Sequence, residues 1–377
     1  MARDVIEREL TAVKTGRVNF GVASEGDDAD IRRLLRENPM PGKISLLLER
    51  EPDFFADANL PGETKQTIIA RDDNRVVCVG SCTVRKRFIN GEPRSVGYLG
   101  GLRLDASQAG RFNILRRGYE FFRELQAAAP ADFYFTSIAA DNDRARMLLE
   151  RGLPGMPRYE FIGEFVTILV PTGHWNSDRN DVADTTPPAE QLIPLLNRHN
   201  SRHQFAPFWS AVELAALQPL GLQPENFRFI REGKQVVAGA ALWDQRAFRQ
   251  TVIGGYTASV AMVRPVLNLV TSIAGGMRLP AIGETLGNAF VSQLAVELNE
   301  PEFLIRLLAE LRGMASRSGI EFLTLGFAAN DPRLAVLRKN IRGREYHSRL
   351  YVVRWPEFGG AAQELDGRIL APEVAWL

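Results

Sequence analysis

The chain has 377 residues, 45% of them hydrophobic and 24% charged, which suits a globular protein of two or three domains. Forty-six basic residues against forty-five acidic ones leave a net charge of +1, so nothing marks the chain as a nucleic-acid or anionic-membrane binder. The two cysteines, Cys78 and Cys82, are too few and too close for a disulfide framework and point to reduced thiols in a cytoplasmic protein.

Met1 to Lys14 mixes Arg, Asp and Glu and lacks the apolar stretch of a signal peptide, and no run approaches the roughly 18 apolar residues of a membrane helix. Val18 to Ala23 alternates as a strand, and Asp27 precedes a helical pattern in Ile31, Leu34 and Leu35. Asn38 to Glu63 is rich in prolines and is expected to be loop. Thr67 to Ala70 and Arg75 to Val84 are expected strands about the turn Asp72-Asp73-Asn74, and Asn90-Gly91 is a tight-turn dipeptide before a strand Ser95 to Leu104. A long helix follows around Ile114, Leu115, Tyr119, Phe122 and Leu125. Then come a strand Phe133 to Ile138, a short helix Asp143 to Glu150 and a strand Phe165 to Val170.

After a linker, Pro171 to Glu190, the same order returns. Leu192 to Asn197 is helical, Phe227 to Ile230 and Gln235 to Trp243 are strands, and Phe290 to Leu298 matches Gly97 to Leu104. Phe303 to Arg317 repeats the long helix. Phe322 to Arg333 lies opposite Phe133 to Arg144, and this match carries the duplication. Thr257 to Glu284 is an insertion with a helical Val260 to Ile273. The expected fold is α/β (α+β): two tandem domains, 1–170 and 190–377 with a linker 171–189, each a mixed, mostly antiparallel sheet flanked by helices.

The segment with the clearest chemical pattern is Tyr98 to Leu115, a strand, a polar turn with Gly110 and Arg111, and a long helix. Turn amides and a helix N-terminus make an anion site, and Arg103, Arg116 and Arg117 add charge, although an ordinary connection with solvated arginines has the same sequence. His199 and His203 share one helical face without the companions of a zinc motif, so no metal is expected. Arg85-Lys86-Arg87 beside the hairpin turn is expected to be a solvated edge, and Cys78 and Cys82 core residues.

In this order of strand, turn, helix, strand and short helix, the first half resembles the GNAT superfamily of acyl-CoA-dependent N-acyltransferases. The resemblance implies that Ala109-Gly110-Arg111-Phe112-Asn113-Ile114 grips the pyrophosphate of acetyl-CoA or another acyl-CoA. Phe112 and Ile114 stand where relatives carry glycines. It also implies that backbone N–H groups at Leu102, Arg103 and Leu104 bind the thioester carbonyl. Asn142, in Asn142-Asp143-Arg144-Ala145, would steady the pantetheine arm, and Leu149 replaces the usual general-acid tyrosine. Tyr98 stands where many relatives place a glutamate base, which makes it the candidate for proton handling, with a tyrosine packed in the sheet as the other reading. In the second copy Asn299-Glu300-Pro301-Glu302 replaces the turn, and its acids would repel pyrophosphate. The implied function is acyl transfer, most simply of acetyl, to a small-molecule or peptide amine. A catalytically silent acyl-CoA-binding or interaction module is the alternative. Aminoacyl transfer onto peptidoglycan precursors is a third, which near-zero net charge disfavours because tRNA calls for a basic surface.

Overall fold

The computed structural model describes residues 18–40, 42–108, 110–173, 182–183, 189–274, 278–355 and 364–377. In chain order the strands are β1 (Val18–Val22), β2 (Ile44–Glu49), β3 (Glu63–Asp72), β4 (Arg75–Ile89), β5 (Glu92–Leu104), β6 (Phe133–Ala139), β7 (Arg158–Pro171), β8 (Val182–Ala183), β9 (Phe227–Glu232), β10 (Gln235–Trp243), β11 (Gln250–Tyr256), β12 (Asn288–Ala295), β13 (Phe322–Ala328) and β14 (Arg344–Arg354). The helices are α1 (Asp28–Glu37), α2 (Phe112–Gln126), α3 (Asp143–Leu149), α4 (Ala189–Asn200), α5 (Ala211–Ala215), α6 (Ala258–Ala274), α7 (Glu302–Arg317) and α8 (Pro332–Asn340).

The local sequence accounts for most of these. Asn90 and Gly91, both at positive φ (52° and 87°), turn β4 into β5 as a two-residue hairpin loop demands. In α1, Ile31, Leu34 and Leu35 form a buried stripe that packs with Ile69, Val76 and Val79 of the sheet. In α7, Phe303, Leu304, Leu307, Leu308, Leu311 and Ala315 are all buried in the largest core cluster, against Ala240, Val291 and Leu323. Segment 38–63, expected as loop, contains β2. Its Ile-Ser-Leu-Leu-Leu-Glu run finds its partner some two hundred residues on, in β11, as a separate two-stranded ladder.

Twelve strands form one sheet in the order β1-β3-β4-β5-β6-β14-β7-β13-β12-β10-β9-β8. It is a mixed, mostly antiparallel sheet flanked by helices. Two pairs are parallel, β5 with β6 and β12 with β13, and they have the same register. Val96, Gly97 and Tyr98 face Phe133, Tyr134 and Phe135, and Asn288, Ala289 and Phe290 face Phe322, Leu323 and Thr324. Phe133 and Phe322 therefore hold equivalent places, as the match between the two segments requires. The halves do not keep separate sheets. Their last strands cross over, so that β14 inserts between β6 and β7, while β7 pairs with β13. Most of the expected linker, 174–181 and 184–188, lies outside the described residues. The insertion supplies α6, which packs on β11.

Candidate active site

The parallel register between β5 and β6 ends at Tyr98 and Phe135. Beyond it the strands part, linked by the Thr136 hydroxyl, which donates to the Leu99 carbonyl at 2.6 Å. At the same point β5 carries one extra residue against β4: Gly100 faces Ser81, whereas Arg103 already faces Val79. This bulge is possible because Gly101 takes φ +67°, a conformation that costs other residues about 1–2 kcal/mol. Gly101 and Leu102 are exposed, so the bulge presents backbone to solvent just where the strands separate. Arg103 and Leu104 resume the ladder with Val79 and Cys78, and the Arg103 guanidinium folds back to donate to the Leu102 carbonyl at 2.8 Å. Of the three residues expected to offer amides to a carbonyl, Leu102 is the one inside the bulge.

After β5, the Asp105 carboxylate accepts the Ser107 amide and hydroxyl and starts a short 3-10 turn. Ala109 lies outside the described residues. Gly110 has φ +89° and open space where a Cβ would point. The amides of Arg111, Phe112 and Ile114 are spent inside the turn, on the carbonyls of Gln108, Gly110 and Arg111 at 2.9–3.1 Å. The Arg111 guanidinium lies 3.7 Å from Asp72. Asn113 is exposed, while the Ile114 side chain is buried with Phe20 and Phe121. Ile114 thus holds the helix to the sheet, where a glycine would have let a ligand come close, while Phe112 is only half-buried.

Asn142 caps α3 by accepting the Ala145 amide at 3.1 Å. Its counterpart Asp331 caps α8 through the Arg333 amide, so helix capping explains this position in both halves. Leu149 is core, beside Ile138 and Tyr351. His199 and His203 are buried against the Arg333 guanidinium at 3.2 and 3.3 Å. Burial and that cation lower both, His203 to about 4, so they act as neutral acceptors. Cys78 is buried and pushed up to about 12, and burial likewise raises Cys82, which makes both poor nucleophiles.

Tyr98 faces a cavity that only the tertiary fold assembles. Lys65, Thr83 and Tyr98 stand side by side on β3, β4 and β5, and Arg85 and Arg87 follow Thr83 on the same face of β4 at spacing two. With Asp57, Glu63, Arg249 and Trp376 they enclose about 20 Å³, room for about one water. The expectation that Arg85-Lys86-Arg87 is a solvated edge therefore holds for Lys86 alone. Arg85 and Arg87 are 4% and 1% exposed. Arg85 is sandwiched between Trp209 and Trp376, its guanidinium carbon 4.8 Å from each ring centre. Arg87 lies over Phe135 and donates to the Phe205 carbonyl at 3.0 Å. Asp57 is the hub: it binds Arg50 at 2.8 Å and Arg249 at 2.6 Å, and it pairs with Lys65. Burial pushes the Tyr98 phenol up to about 12, so it is a neutral hydroxyl and not a base near neutral pH.

The second half keeps the bulge and closes it. A register shift against β10 falls at the same place in β12, and Gln293, at φ 53°, holds the position of Gly101. Phe290 replaces Tyr98, and the two rings join one cluster with Phe205 and Val374. Segment 364–377 lies against β12 and β13, and the Glu373 carboxylate accepts the Gln293 amide at 3.3 Å. Gln293 is 3% exposed.

No family model matches the sequence, and no curated protein matches it by sequence. Solved structures do match by shape. Saccharomyces cerevisiae N-myristoyltransferase with bound myristoyl-CoA superposes with a TM-score of 0.61 at 10% identity, over 91% of this chain and 80% of that one. A GCN5-related N-acetyltransferase from Sphaerobacter thermophilus gives 0.55 at 13% identity, over 90% and 96%. The chain therefore shares its fold with these two transferases.

Proposed function

We propose that the protein transfers an acyl group from acyl-CoA to an amine, and that the first half holds the site. The observation that carries this reading is the open bulge at Gly101 and Leu102 beside the parted ends of β5 and β6. Acyl transfer needs donors aimed at the oxygen on which charge develops, and exposed backbone amides held by a rigid sheet provide them at no reorganisation cost. Acyl-CoA supplies the activated thioester, with Gly110 and the start of α2 on the pyrophosphate side. The amine must lose its proton before it attacks, and the cations Arg87, Arg249 and Lys65 around Tyr98 favour the neutral form of an ammonium that enters. Tyr98, neutral and adjacent, can donate a hydrogen bond to the departing thiolate or to a water.

Acetyl is the favoured acyl group. The rings of Tyr98, Phe135 and Phe205 follow one another at 5.0 and 4.9 Å directly below the point where the strands part, which leaves a long chain no straight path there. One observation favours the silent-module reading instead: three amides of the turn after Gly110 are consumed within it.

The test is a melting experiment followed by turnover. A ligand present at one hundred times its Kd stabilises the folded state by about 2.7 kcal/mol. Acetyl-CoA at millimolar concentration should raise the melting temperature, and a panel of amines should be acetylated faster than they are myristoylated from myristoyl-CoA. Stabilisation without turnover of any amine would establish the silent module, and neither effect with any acyl-CoA would remove both readings.

A further inference from the structure

The buried charges around Tyr98 do not balance locally. Among the described residues, every ion pair at the cavity goes to one carboxylate, Asp57, which takes Arg50, Lys65 and Arg249. Arg85 and Arg87 form no ion pair among the described residues. Nε and Nη1 of Arg85 and Nε of Arg87 are buried without a hydrogen-bond partner. Three other carboxylates lie within electrostatic reach of Arg85, namely Glu63, Glu213 and Glu373. Glu213 is engaged by Ser210, whose amide and hydroxyl it accepts at 2.8 and 2.6 Å, and Glu373 by the Gln293 amide. Burial raises both Glu63 and Glu373, the latter to about 7, so their negative charge is weakened where it would be needed. Guanidinium groups that are buried, unpaired and aimed into a polar cavity are costly to keep unless an anion joins them.

We propose that this cavity receives the carboxylate of the acyl acceptor, one of whose oxygens takes the place of the single water it has room for, so that the substrate is an amine carrying a carboxylate several bonds away, such as a short peptide. The proposal rests on the acyltransferase reading for the position of the amine, which would lie at the Gly101 bulge. The Tyr98 ring reaches back over Gly100 towards the bulge, whereas Arg85 stands opposite Val96, five residues from Gly101 along the strand, about 16 Å at ~3.3 Å per residue. An α-amino acid is too short to place its own amine and carboxylate at both points, whereas a dipeptide, helped by the reach of the arginine side chains, can do so. A carboxylate suits the cavity better than a phosphate does, since the space holds about one water, enough for one oxygen of a carboxylate and too little for a tetrahedral phosphate. Planar guanidinium forks also match a carboxylate in pairs. The arrangement gives the buried, unpartnered nitrogens of Arg85 and Arg87 an anion to bind.

Equilibrium binding tests this directly, with and without coenzyme A, by titration calorimetry on the full chain. Glycylglycine should bind at least tenfold more tightly than glycylglycinamide, which keeps the amine and lacks the carboxylate. Arg87→Gln should erase that preference. Because a buried arginine can matter for folding, Thr83→Ile provides a second route: it fills the cavity without touching a charge and should erase the preference too. Both variants must melt cooperatively. Equal binding of the two ligands by the wild type overturns the proposal, and so does tighter binding of O-phosphoethanolamine than of glycylglycine. Binding is read without turnover, so an inactive protein still answers the question. Turnover of glycylglycinamide as fast as glycylglycine would overturn the proposal while leaving acyl transfer standing.

Discussion

Asp57→Asn is the substitution that should cost the fold most for its size. The wild-type carboxylate is 2% exposed and holds four donor contacts: Arg50 Nη1 at 2.8 Å, Arg249 Nε at 3.1 Å and Nη2 at 2.6 Å on Oδ2, and the Lys65 ammonium on Oδ1. Asparagine keeps one carbonyl acceptor and nearly the same volume, so the change removes charge and little else. Three cations are left facing one another, and removing one partner of a buried ion pair costs about 3–5 kcal/mol. With a urea slope near 3 kcal/mol per molar, the unfolding midpoint should fall by about 1 M or more. The sign with pH follows from the direction of the shift. The surrounding cations hold the Asp57 carboxyl far below its ordinary range, so its stabilisation is present above pH ~4 and lost as pH falls towards the folded value. Wild type and variant should therefore converge in acid. Combining Asp57→Asn with Arg249→Met should cost less than the sum of the two single changes, because the second no longer breaks a pair. A loss below about 1 kcal/mol at pH 7, or strict additivity, would refute the hub.

Two further outcomes follow from the same region. Glu373 is raised to about 7 in the folded state, so its contribution is full below the unfolded carboxyl value and is lost as pH rises through about 7; unfolding titrations from pH 4.5 to 7 should show wild-type stability falling and Glu373→Gln nearly flat. Tyr98→Phe should lower kcat roughly tenfold, the worth of one hydrogen bond, with acyl-CoA affinity unchanged, and equal kcat in the two proteins would return Tyr98 to packing alone.

The likeness of the two parallel strand pairs was legible because it rests on local pattern. Phe133 to Arg144 and Phe322 to Arg333 repeat strand, cap and helix, and the structure puts them in one register. The bulge at Gly101 had no comparable signal: a glycine in a strand marks many things, and its counterpart Gln293 takes the same φ without being glycine. The cavity was invisible for a different reason. Its residues come from positions 57, 63, 65, 83, 85, 87, 98, 249 and 376, which only the tertiary fold gathers. The one readable trace was Arg85 and Arg87 at strand spacing two, sharing a face. With no partner visible in the sequence, water was the natural neighbour to assign them. Strand exchange was equally hidden, since hydrophobic alternation says that β7 and β14 are buried and not beside which strand.

That exchange sets the order in which the molecule can be completed during synthesis. Tyr351 pairs with Thr136, so β6, a run of Phe-Tyr-Phe-Thr-Ser-Ile-Ala, has no neighbour on that side until some two hundred further residues have been made. At ~5–20 residues per second, the ribosome holds the nascent first half in that condition for roughly 10–40 s. An apolar strand edge exposed for so long invites pairing with another nascent chain, and the cell's holding chaperones are the natural cover for it. A variant that slows translation of the second half would lower the soluble yield of a protein whose finished stability it leaves untouched.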